Sequence, residues 1–92
     1  MMRIWGKIFE NNHMLKDTTV TDDRPDTRTH KIFRALEEIC HEFDLSVPVW
    51  LDSNVRDFQK NKKVRFTRDN FVGDSIDFDY LEMQVLEEDS LY

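Results

Sequence analysis

Glycine and proline are scarce in this chain, two of each in 92 residues. With so little glycine there is no phosphate-cradling loop, no Walker motif and no dinucleotide fingerprint. Scarce glycine and proline beside seven Phe, two Trp and two Tyr also argue against disorder, because disordered chains lack the bulky side chains that offset conformational entropy. Cys40 is the single cysteine, so no intramolecular disulfide framework exists, and a reducing cytoplasm is the default compartment. No run of eighteen apolar residues occurs, so neither a membrane span nor a signal peptide is expected. Lys and Arg are missing altogether after Arg68.

That last absence belongs to a strong pattern. Residues 1–53 hold seven Lys/Arg against ten Asp/Glu, residues 54–68 hold six against one, and residues 69–92 hold none against eight. The chain as a whole is acidic, with a net charge of −6. Acidity opposes broad attraction to nucleic acid or anionic lipid, and only the basic window could override it locally. The length suits one domain spanning 1–92, with a single core enlarged by its aromatic rings.

Hydrophobic periodicity orders the elements. Arg3–Glu10 and His13–Thr21 read as two strands joined by Asn11-Asn12, residues that tolerate the positive φ of a tight hairpin. A two-residue loop places Ile8 opposite Leu15 and Ile4 opposite Thr19, and sets Trp5, Phe9, Met14 and Val20 on the other side with Lys7 and Lys16. Gly6, mid-strand, marks a bulge or the close approach of another side chain. Ile32, Phe33, Leu36, Ile39, Cys40 and Phe43 form one stripe of a helix from about 27 to 43, with Lys31, Arg34, Glu37, Glu38, His41 and Glu42 turned to water. Pro48 then imposes extended backbone. A second, shorter helix begins at Asp52 or Ser53 and runs to about Lys63, with Val55 and Phe58 inward; Val64 and Phe66 alternate as in a brief strand. Residues 78–87 read as the closing strand, with a phase change at Tyr80-Leu81, and Glu88–Tyr92 as a fraying acidic end. The expected class is a two-layer α+β fold of order ββααβ. In it a three-stranded, mostly antiparallel sheet, hairpin plus C-terminal strand, is packed by one long and one short helix.

Candidate chemistry is thin. His13, His30, His41 and Cys40 are scattered, and no metal site or cofactor is expected from them. Asp74, Asp77 and Asp79 lack the spacing of a calcium loop. Ser46, Ser53, Ser75 and Ser90 all fall in turn, cap or tail contexts, which leaves no nucleophile with an aligned base. The remaining signals are Arg56, Lys60, Lys62, Lys63, Arg65 and Arg68, interleaved with Phe58 and Phe66, and the aromatics Trp5, Phe9 and Trp50 as interface candidates. The expectation is a non-enzymatic protein–protein interaction module, its partner another protein or a second copy. The alternative is a nucleic-acid-binding accessory protein that uses residues 56–68.

Overall fold

The structure, a computed structural model, describes residues 1–88. Its elements are β1 (Met2–Glu10), β2 (His13–Asp22), α1 (Arg28–Glu42), α2 (Asp52–Asn61), β3 (Lys63–Phe66), a 3-10 turn (Arg68–Asn70) and β4 (Tyr80–Glu87). The fold is α+β, as expected, but the antiparallel sheet has four strands in the order β2-β1-β4-β3. The fourth is Lys63–Phe66. Its alternation of two inward apolar residues with two outward basic ones suits an edge strand, and it pairs Val64 with Met83 and Phe66 with Leu81. The second helix therefore stops at Asn61, two residues short of the expected end, because Lys62 turns into the left-handed region with φ of 57°.

The hairpin forms on Asn11 and Asn12, both at positive φ. Its register is as expected near the turn, where Phe9 opposes Met14, but Ile8 opposes Lys16 and Ile4 opposes Val20. Leu15 is the extra residue of a bulge, which shifts every later pair by one. Val20 and Lys16 consequently leave the Trp5 face for the helix side. There Val20 packs against the core and the Lys16 ammonium lies 5.3 Å from the Phe43 ring centre. In β4 no bulge is needed at Tyr80-Leu81, because Ile76–Asp79 precede the strand and the alternation starts afresh at Tyr80. The expected fraying end lies, past Glu88, outside the described residues.

Helix α1 seats Ile32, Ala35, Leu36, Ile39, Cys40 and Phe43 in one core with Met2, Ile4, Ile8, Val64, Phe66, Leu81, Met83 and Val85. Gly6 lets it approach: a Cβ there would lie 2.6 Å from Ile39 Cγ2. Two expected orientations are corrected. Phe33, about 100° round the helix from Ile32, falls at the stripe's margin and is 47% exposed. Lys31, expected on the wet face, is buried, as the helix face is centred toward Ala35 rather than Phe33.

Ion pairs fasten the start of α1. Asp22 is buried and accepts from the Arg24 N–H and guanidinium and from Arg34 Nε and Nη2, while Arg34 Nη1 donates to Asp26. Arg24 first, then Arg34, hold the Asp22 carboxyl well below the usual carboxylate range against the opposing effect of burial. A group whose folded pKa is depressed contributes stability that is complete above its unfolded pKa, near 4, and lost as pH falls below it. Thermal melts should therefore show stability declining from about pH 5 to pH 3, and Asp22→Asn should flatten that decline.

A candidate groove between the helices

The sheet offers two surfaces, and among the described residues only one of them carries helices. On the helix-free face β1 and β4 set Phe9 beside Tyr80, Lys7 beside Glu82 and Trp5 beside Gln84. Phe9 and Tyr80 stack with ring centres 5.1 Å apart, and the Arg65 guanidinium covers Tyr80 at 4.6 Å. Lys7 Nζ bonds Glu82 at 2.7 Å and Gln84 at 2.9 Å and sits 3.9 Å from the Trp5 ring centre; Trp5 Nε1 donates to Asp17. Arg65 Nε also reaches Glu82. Burial alone would raise the Glu82 pKa, but the bonds from Lys7 and Arg65 outweigh it and leave the carboxyl lowered. Trp5 and Phe9 thus share a face, as expected, yet that face is already tied up by its own charges and rings.

The basic window does not form one patch. Val64 and Phe66 point into the core, so alternation sends Lys63 and Arg65 to the helix-free side. Arg56 and Lys60 lie on the exposed side of α2, since Asn54 and Phe58 are its buried residues. Lys62 bonds Glu88 at 2.6 Å, and Arg68 stands in the 3-10 turn. Phe58 and Phe66 are buried, out of reach of a stacking base.

Trp50 occupies the junction instead. It comes from the extended stretch 45–51, which is held by two buried asparagines that periodicity could not single out. Asn70 Nδ2 donates to the Val49 carbonyl at 2.8 Å and to Asn54 Oδ1 at 2.6 Å; Asn70 Oδ1 accepts from the Thr67 N–H. Asn54 Nδ2 donates to the Arg65 carbonyl, and its Oδ1 accepts the Leu51 N–H at the head of α2. Held this way, the Trp50 ring meets Phe33, Phe58 and Phe66 edge-on at 6.2, 5.6 and 5.0 Å. Its buried Nε1 has no acceptor among the described residues.

Beside Trp50 an apolar groove of about 230 Å³ opens between α1 and α2, lined by Arg28, Ile32, Phe33, Val55 and Phe58 among others. Val55, expected inward, is 40% exposed and forms a groove wall, because Asn54 takes the inward position of that turn. Val47, Val49 and Leu51 of the adjoining stretch are exposed as well. Arg28 stands at one end with its guanidinium 5.4 Å from the Phe58 ring centre, paired with Glu88, which also holds Lys62. The half-exposed Phe33 and Val55 were the residues sequence reasoning missed; the marginal place of Phe33 on its stripe was the available signal.

Burial raises the Cys40 thiol to about 11, which leaves it protonated and unreactive near neutrality. His30 Nδ1 pairs with Asp26, Ser46 Oγ with Asp74, and Asp79 with the Asn11 N–H. Among the described residues no group of three or more His, Cys, Asp or Glu side chains could hold a metal ion, and no helix is long and apolar enough to cross a membrane. No protein-family model matches the chain, and no curated protein or solved structure matches it significantly.

Proposed function

We propose that this protein is a non-enzymatic interaction module whose groove between α1 and α2 receives an apolar side chain from a polypeptide segment. The observation that carries this reading is Phe33, 47% exposed on a helix whose remaining large apolar residues are buried, and set against Trp50. A half-exposed ring beside an open, ring-lined groove fits a segment that inserts an apolar side chain there. The nucleic-acid alternative has weaker support, since the basic side chains diverge onto separate surfaces and Lys62 and Arg65 are already paired.

A photo-crosslinking residue at Gln59, on the groove wall, tests the proposal against the same residue at Thr19, on β2. In extract of the source cells the groove position should give a discrete protein adduct that Phe33→Asp abolishes and that the Thr19 position does not give. An adduct of twice the chain mass identifies a second copy as partner. Equal labelling from both positions, or labelling indifferent to Phe33→Asp, contradicts the proposal.

A further inference from the structure

We propose that a second site, at the hairpin end of the sheet, binds a small zwitterion: an α-amino acid with an apolar side chain. A hollow of about 740 Å³ opens there between the hairpin, the C-terminal end of α1 and residues 75–78. Its size falls in the range of small-molecule sites, about 300–1,000 Å³. The floor is apolar: Ile8 and Phe43 are buried, and Ile76 and Phe78 pack against the core. Three charged side chains, Lys16, Asp44 and Asp77, share the lining. The hollow has no lining residue in common with the groove between the helices and does not rest on it.

Local backbone features bring these charges together. The bulge at Leu15 turns Lys16 to the helix side, where its ammonium lies 5.3 Å from the Phe43 ring centre. Asp44 stands at the turn that ends α1, in the left-handed region with φ of 58°, and the next residue, Leu45, donates its N–H to the Cys40 carbonyl. The wall that carries Asp77 is anchored on both sides. Before it, Asp74 accepts from Ser46 Oγ; after it, the Asp79 N–H donates to the Phe9 carbonyl and the Asp79 carboxylate accepts from the Asn11 N–H. Phe78 meets Phe71 edge-on at 6.1 Å. The hollow is therefore formed before any ligand arrives.

The class of ligand follows from the charges. Among the described residues none of Lys16, Asp44 and Asp77 has an ion-pair partner, unlike Asp22, Asp26, Glu82 and Glu88. An anion alone would face two carboxylates, and a cation alone would face an ammonium. A ligand carrying both signs satisfies all three: its carboxylate accepts from Lys16, and its ammonium donates to Asp44 and Asp77. Its apolar side chain then covers the ring and aliphatic floor.

Calorimetric titration of the full chain with L-leucine and L-phenylalanine provides the test. Three further ligands each lack one feature: leucinamide the carboxylate, N-acetyl-leucine the ammonium, and glycine the side chain. The expected result is that leucine or phenylalanine binds and that each truncated ligand binds about tenfold more weakly. Lys16→Gln should weaken leucine about tenfold and leave leucinamide unchanged, and Asp77→Asn should weaken leucine and leave N-acetyl-leucine unchanged. Both positions are exposed, so either variant should keep the fold. Phe33→Asp should leave the affinity for leucine unaltered; a loss there would place the ligand in the groove and overturn the second site. Absence of binding at about 10 mM of either amino acid overturns it as well. So does glycine binding as tightly as leucine, or either variant weakening leucine and its truncated counterpart alike.

Discussion

Asn70→Leu is expected to lower the stability of the fold by about 3 kcal/mol, although the substitution keeps a similar volume. Asn70 is buried, and its side chain is the partner of the Val49 carbonyl, the Thr67 N–H and Asn54 Oδ1. Leucine offers no donor or acceptor, so these groups lose a partner in a space with little water. A buried polar group left unsatisfied costs about 1–3 kcal/mol, with the larger values where several fail together. The loss should also reach the groove. Val49 precedes Trp50 directly, and the Val49 N–H is bonded to the Asn70 carbonyl at 2.8 Å. Urea unfolding with Trp50 emission in a Trp5→Phe background gives both readings. The midpoint should fall, and native Trp50 emission should move toward that of a more hydrated ring.

Gly6→Val should cost about 1–3 kcal/mol through overpacking. A Cβ at position 6 would lie 2.6 Å from Ile39 Cγ2 and 2.9 Å from Cδ1. Ile39 has no room to yield: it is fully buried, and a β-branched side chain in a helix is confined to essentially one χ1 rotamer. Relief would require α1 to rise off the sheet, loosening Leu36 and Cys40 as well. The double variant Gly6→Val/Ile39→Ala should recover part of the loss, so that a double-mutant cycle measured by chemical denaturation gives a coupling of at least about 1 kcal/mol. Additive losses would mean that the helix does not rest on Gly6.

The contrast between these two sites shows what was legible in the sequence. The α1 stripe and the closing strand were readable because they repeat a period of 3.6 or 2, and the hairpin turn because Asn11 and Asn12 tolerate positive φ. A close approach was among the readings of Gly6, since a glycine inside a strand has few other uses. The Leu15 bulge was not readable: one extra residue leaves the alternation of its neighbours intact and alters only which partner each meets. Lys63–Phe66 offered just two alternations, too short to separate a strand from a helix end. Asn54 and Asn70 resemble ordinary cap and turn residues in one dimension, and their bond to each other joins positions far apart in the chain. The groove depends on that bond and on the margin of the α1 stripe, so the site was the least visible part of the molecule.

The same margin supplies the most direct test. Leu36 and Phe33 sit three positions apart on α1, one 1% and the other 47% exposed. Leu36→Ala should cost about 2–5 kcal/mol, and Phe33→Ala, with half its ring already in water, about 1 kcal/mol. Urea unfolding of the two variants, with crosslinking from Gln59 followed in Phe33→Ala, measures whether Phe33 serves binding or packing. The account predicts a midpoint lowered much less than by Leu36→Ala and a lost adduct for Phe33→Ala. A midpoint as low as that of Leu36→Ala, with the adduct retained, would contradict it.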